Sequence, residues 1–250
     1  MALSMLKKIN TEIDLLYIDP SRRNKENKKV HFLSDCTPLI DYDLIKSLQN
    51  FKTILIKCSP IIDLKKTIND LIVVSEIYIV GINNEVKEVL FSLNKQSNND
   101  IKIKCIDLSN RELDFEFNIN DINNKKNNDN SEVLNYLYEP NSMILKSGAF
   151  SLICDRYDVK KLNTNSHLYT SKKLIDFPGR VFKVDSVVNY SKRNLKDLNV
   201  SKANITTRNF PIDVKHIRKK SKILDGGEYY LFFTTNYLND QIIIKTKKPH

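Results

Sequence analysis

Glycine is scarce in this chain: 5 occur in 250 residues, and none precedes Gly81. That excludes a glycine-rich strand-to-helix turn, the device that lets a backbone approach a nucleotide phosphate, from the first 80 residues. Tryptophan is absent, and the four cysteines (Cys36, Cys58, Cys105, Cys154) are far apart with no Cys-x-x-Cys pair. Cys58 and Cys105 sit inside strand-like runs, where a free thiol packs as a small hydrophobe. The histidines at 31, 167, 216 and 250 have no ligand spacing either. Zinc sites and a disulfide framework are thereby excluded, no metal is expected, and the cysteine usage points to a reducing cytoplasm. Long apolar runs are also missing. The longest, Leu71 to Ile82, is broken by Ser75 and Glu76 and is too short for a bilayer. Met1 to Asn10 has no apolar signal-peptide core, so no membrane partner is expected.

What the chain has is positive charge. Lys and Arg number 40 against 30 acids, a net charge of +10, with a pI near 9.2. Two readings stand side by side. The excess fits a polyanionic partner, nucleic acid first, or it reflects a Lys- and Asn-rich composition whose cations are merely solvated. At 41% hydrophobic content the chain can bury a real core, and its length allows one to three small domains.

The pattern divides the chain into three. Residues 1–110 alternate strands with helix-like stretches: strands at Ile13–Asp19, Lys52–Lys57, Glu76–Ile82 and Ile101–Asp107, helices at Leu39–Gln49, Asp63–Val74 and Glu85–Leu93, the last capped by Asn83 and Asn84. Such alternation predicts a parallel sheet with crossover helices. Residues 111–175 open with Leu113–Ile119 and the Asn/Lys/Asp run 120–130, expected to be a disordered surface loop. They continue as an α+β region with a Met143–Phe150 helix. Residues 176–250 hold strands at Val181–Val188, Lys202–Thr207 and Glu228–Thr235, a short helix at Leu195–Leu198, and Gly226-Gly227, expected as a hairpin turn rather than a phosphate cradle.

Ile13–Ile18 delivers Asp19-Pro20 to a strand's C-terminal tip, the edge of an open α/β sheet where ligands bind. Arg22 and Arg23 follow, two permanent cations suited to phosphate. The plainer reading is a strand ending in a turn, Asp19 capping it, Pro20 stopping the ladder, and the arginines solvated. Farther on, Arg208, Lys215, His216, Arg218, Lys219, Lys220 and Lys222 crowd into fifteen residues. Nearby Tyr229 alternates with Leu231 and Phe233, which predicts core filling more than base stacking. No Ser/His/Asp or Cys/His set emerges from spacing, and Asp107 with Glu112–Glu116 makes no evident acid/base pair.

Several blocks together resemble a known family. They are Tyr17-Ile18-Asp19-Pro20-Ser21-Arg22-Arg23, Ile56-Lys57-Cys58-Ser59-Pro60, Tyr138-Glu139-Pro140-Asn141, Asn165-Ser166-His167-Leu168-Tyr169-Thr170, Asp176-Phe177-Pro178-Gly179-Arg180 and Lys202–Pro211. They are similar to a Bacteroidetes-type family of class I S-adenosylmethionine-dependent methyltransferases with a ferredoxin-like middle region and a THUMP-like C-terminal domain. The resemblance implies a partial Rossmann-like sheet over 1–110, a ferredoxin-like α+β region over 111–175 and a THUMP-like domain over 176–250. It implies S-adenosylmethionine as cofactor and RNA as substrate, with Asp19 and Pro20 near the methyl acceptor. Arg22, Arg23, Arg208, Lys215, Arg218, Lys219, Lys220 and Lys222 would hold RNA.

Two departures qualify this. The glycine turn is absent, and only eighteen residues precede Asp19, fewer than one βαβ unit requires. The expectation is a chain without its cofactor-binding front half, inactive alone, exposing a sheet edge prone to self-association. Ser21 and Arg22 also stand where many base-amine methyltransferases carry Pro and an aromatic. The rival reading is a non-catalytic RNA-binding module.

Overall fold

The computed structural model describes residues 6, 9, 11–21, 32, 33, 36, 38–94, 100–110, 114–123 and 130–249. Two compact units emerge, residues 1–124 with 142–148, and residues 125–141 with 149–250.

The first unit is built on six strands: β1 (Ile13–Ile18), β2 (Phe51–Cys58), β3 (Val74–Ile82), β4 (Glu85–Asn94), β5 (Lys102–Asp107) and β6 (Phe115–Asn118). Their order is β1-β2-β4-β3-β5-β6. β1 runs parallel to β2 and β3 to β5, while the other pairings are antiparallel. The helices are α1 (Tyr42–Ser47), α2 (Leu64–Leu71), α3 (Ile119–Asn123) and α4 (Ser142–Ser147). Asp41 and Asp63 start α1 and α2, each accepting a main-chain N–H three residues on, at 2.8 Å.

The expected all-parallel sheet is corrected to a mixed one, because Glu85–Leu93 is a strand and not a helix. Val86, Val89, Leu90 and Leu93 fit helical spacing, but Asn83 and Asn84 adopt φ of 51° and 61°. Two consecutive left-handed residues make the tight turn whose twist suits a hairpin, so they close β3 onto β4 instead of capping a helix. The side chains of Val89, Phe91 and Leu93 then alternate inward, joining Ile54, Ile56, Ile77 and Ile79 on one buried face. α4 packs on β3, β4 and β5. A Cβ on Gly81 would lie 2.2 Å from Met143 Sδ, so glycine is what lets the helix approach. The opposite face is left open, a hollow of about 600 Å³ lined by Leu15, Leu55, Tyr78 and Leu90 among others. Of the run 120–130, residues to Asn123 belong to α3, and 124–129 lie outside the described residues.

The second unit holds β7 (Tyr136–Pro140), β8 (Lys160–Lys161), β9 (Tyr169–Ser171), β10 (Gly179–Asn189), β11 (Lys202–Arg208), β12 (Leu224–Thr235) and β13 (Gln241–Lys247). The sheet order is β11-β12-β13-β10-β7-β9-β8, with only β11–β12 parallel. Helices α5 (Phe150–Tyr157), α6 (Lys192–Asp197) and α7 (Val214–Ser221) complete it. The expected Met143–Phe150 helix is two, α4 and α5, broken at Gly148 with φ +77°. Each sheet face has its own core. One gathers Leu195 of α6 and Ile217 of α7 with Leu231, Phe233 and Ile243. The other gathers Leu137, Phe182, Phe232, Ile242 and Ile244.

Gly226-Gly227 is corrected as well. Both have φ above +80°, but they form a bulge inside β12 and not a hairpin turn. The β11–β12 pairing jumps there from Lys202↔Leu224 to Ala203↔Tyr229.

Candidate functional site

Because β1 and β2 are parallel, their C-terminal tips lie side by side. Lys57 Nζ meets Asp19 Oδ2 at 2.5 Å, and the hydrogen bond to Asp19 raises the Lys57 pKa. The Asp19 carboxylate is therefore already paired. Pro20 is buried beside it, lining with Ser21, Leu33, Lys57, Cys58 and Ile62 a space of about 10 Å³. That is room for one water, whereas small-molecule sites occupy hundreds of Å³. No positive-φ glycine occurs among the described residues before Gly148, and the earliest glycine, Gly81, is held against Met143. The described residues at this tip thus do not fit S-adenosylmethionine. Arg22 and Arg23 lie outside the described residues.

The basic cluster falls on and around α7, and its members do different things. Asp213 starts the helix, its Oδ1 accepting from His216 N–H at 2.8 Å. Arg218 turns inward: Nη1 donates to the Ile223 carbonyl at 3.1 Å, and Nη2 donates to the Ala203 carbonyl at 3.2 Å and pairs with Asp225. It fastens α7 to β11 and to the start of β12. Lys215, Lys219, Lys220 and Lys222 are exposed. Lys222 ends the helix in the left-handed region, φ 61°, its N–H returning to the Arg218 carbonyl. Cations in this last turn also face the negative end of the helix dipole.

Arg208, at the end of β11, is fastened differently. Its Nε and Nη2 lie 2.8 and 2.7 Å from Oε1 of Glu139, while Arg180 brings Nε to Oε2 of the same carboxylate at 2.6 Å and its Nη2 alongside. The Glu139 side chain is 3% exposed and each arginine 37%.

A groove of about 700 Å³ lies between α6 and α7, lined by Tyr190, Lys192, Leu195, Lys196, Lys220, Ser221 and Lys222. Leu195 belongs to the core beneath, and Tyr190 is braced edge-on by Phe210 and Phe233, at centroid distances of 5.1 and 6.0 Å. The lining carries four lysines and no acid. Sequence reasoning reached Lys220 and Lys222 but missed Lys192, Lys196 and Tyr190. The available signal was the i, i+4 spacing of Lys192 and Lys196 behind the Ser191 cap, which puts both on one helix face. Tyr229 is not a free stacking platform: Lys245 and Lys247 hold their ammonium groups 4.4 and 4.5 Å from its ring centre.

Residues 136–178 match the model of a ferredoxin-like domain, and residues 179–248 that of a THUMP-like domain. A crystal structure described as that of a "putative methyltransferase from Porphyromonas gingivalis W83" is 31% identical to this chain, with a TM-score of 0.88. The match covers all of this chain and 62% of that one, so the present chain spans less than two thirds of its length. No curated protein matches. The chain carries, in sequence, a mixed α/β region, a ferredoxin-like domain and a THUMP-like domain, a fold similar to that of the solved protein.

Proposed function

We propose that this chain is the RNA-holding part of an S-adenosylmethionine-dependent RNA methyltransferase, divided at about residues 110 and 175, and acting in the cytoplasm. The observation that carries it is the α6–α7 groove, with four lysines, no acid in its lining and an aromatic at one end, in a segment that matches a THUMP-like domain. No ion pair involving these lysines occurs among the described residues, so their charge faces solvent. Such a surface suits backbone phosphate, where structured RNA is bound through shape and charge. Lys215 and Lys219 extend the cationic surface along α7.

Asp19 and Pro20 are the residues nearest the acceptor in this reading. The described residues at the β1 tip do not fit the cofactor, so in this reading the methyl donor is held elsewhere. The Lys57–Asp19 ion pair favours the second reading, a non-catalytic RNA-binding module. Both readings share the groove, and a methyl-transfer assay separates them.

The test replaces Lys192, Lys196, Lys220 and Lys222 by Ala and measures binding to a structured RNA across a salt series. Each lost phosphate contact flattens the log–log salt slope by about 0.7–0.9, so the quadruple variant should lose about 3 from the slope and bind far more weakly. Arg218 is left in place because it fastens the helix. A variant with the parent's affinity and slope would remove the groove from this role.

A further inference from the structure

Glu139 gathers two guanidiniums around one buried carboxylate, an arrangement that fastening alone leaves half used. Arg180 and Arg208 reach Glu139 through Nε and Nη2. Among the described residues the Nη1 group of each has no partner. Two cations against one anion leave a surplus positive charge at a site that is buried on the carboxylate side and open on the guanidinium side. Lys248 adds another: its ammonium, partly buried, lies 4.8 Å from the centre of the Phe182 ring, over which the Arg180 guanidinium also lies, at 5.6 Å. Burial and then the Arg180 charge lower the Lys248 pKa, while Glu139 raises it, so the cations act on one another.

We propose that Arg180, Arg208 and Lys248 form a phosphate-binding site at the junction of the ferredoxin-like and THUMP-like domains, with Glu139 as the positioning residue. The proposal rests on the RNA-holding reading and names a second point of contact for it. A guanidinium held by a buried acid has already lost its rotamer freedom, so the ordering cost of binding is met in the free protein. The planar fork then presents a charge-assisted donor to a phosphate oxygen, which an ammonium alone would not orient. The phosphate is either the terminal group of an RNA end or an internal diester, and the same oxyanion chemistry serves both.

The experiment uses the full chain and two oligoribonucleotides of one sequence, one 5′-phosphorylated and one 5′-hydroxyl, titrated by calorimetry. Lys248→Gln is the variant, because Lys248 has no ion pair whose loss would disturb folding. For a terminal phosphate, the phosphorylated oligomer should bind about tenfold tighter to the parent chain, a difference that Lys248→Gln reduces to about threefold or less. An internal diester predicts instead that the variant weakens both oligomers alike. A variant that binds both as the parent does overturns the site. Should neither oligomer bind the parent chain, the RNA reading fails separately, and inorganic phosphate alone decides the site. Saturable shifts of the Arg180 and Arg208 Nε–H resonances would then support it, and unmoved resonances would overturn it.

Discussion

Acid should loosen the second unit through His167, and the effect is calculable. Its Nδ1 is buried without a hydrogen-bond partner among the described residues, and its ring stacks on Phe150 at 3.8 Å. Burial, helped by the charges of Lys161 and Arg208, pushes its pKa from 6.5 down to about 4. Folded His167 therefore stays neutral where the unfolded chain takes up a proton. Above pH 6.5 the residue costs nothing. As pH falls toward 4 the unfolded state gains protons that the native state refuses, so stability drops, and below about 4 the loss levels off. At about 1.4 kcal/mol per pKa unit, the gap corresponds to about 3.5 kcal/mol, and solvent screening at this half-buried site trims it to about 2–3 kcal/mol. His167 sits at φ +52°, so His167→Asn, which tolerates that backbone region, is the suitable non-titrating variant. Urea denaturation of both proteins at pH 7.5 and pH 4, followed at amides of the second unit, should give the parent an extra loss of about 2–3 kcal/mol. Carboxylates that titrate in the same range cancel in the comparison. The His167 Cε1 proton resonance should hold still until the pH approaches 4. A midpoint near 6.5, or equal acid loss in the variant, would refute the account.

Two further outcomes follow from single side chains. Thr234 Oγ1 is fully buried with no partner among the described residues, so Thr234→Val should stabilise the chain by about 1 kcal/mol in thermal or urea unfolding. Destabilisation by that much would mean that the hydroxyl is satisfied by a buried water. Among the described residues β1 stands at the edge of its sheet, and its Leu15 and Tyr17 are about half exposed, 53% and 51%. The chain should therefore self-associate at high concentration, and Leu15→Lys should return it toward monomer in sedimentation. A parent chain monomeric throughout would refute the role of this edge.

Among the strands legible in the sequence, β5 and the second half of β2 alternate in burial. β2 buries Ile54, Ile56 and Cys58 and turns Thr53, Leu55 and Lys57 away, and α2 announces itself through Asp63. β4 was not legible, because its apolar residues satisfy both periods and the deciding feature is the backbone of Asn83 and Asn84. The Gly226-Gly227 bulge escaped because a glycine pair reads as a turn wherever its neighbours' pairing partners are unknown. Of the candidate site, the lysine cluster was visible and its sorting was not. Arg218 is spoken for by carbonyls of Ala203 and Ile223 and by Asp225, which the fold alone assembles. Glu139 stands 41 and 69 residues from the arginines that it joins. Separations of that size carry no local pattern.

Where the surplus charge stands bears on the two readings that composition left open. In the first unit six lysines answer acids: Lys52 pairs with Asp14 and Glu12, Lys57 with Asp19, Lys66 with Asp70, Lys87 with Glu85, Lys102 with Glu116 and Lys104 with Glu76. Most are exposed pairs worth little to stability, but each cancels a charge that would otherwise draw a polyanion. In the second unit, Lys245 and Lys247 are likewise answered by Asp185 and Glu228. The groove is different, for Lys192, Lys196, Lys220 and Lys222 line it together without an acid. Lysines without an ion pair among the described residues stand elsewhere too, Lys65, Lys172 and Lys173 among them, so it is concentration that sets the groove apart. Concentration of four around one concavity raises the local potential and gathers counterions, whose release on binding RNA is the driving force that the salt series measures. The net charge of +10 thus matters less than where the unanswered part of it stands.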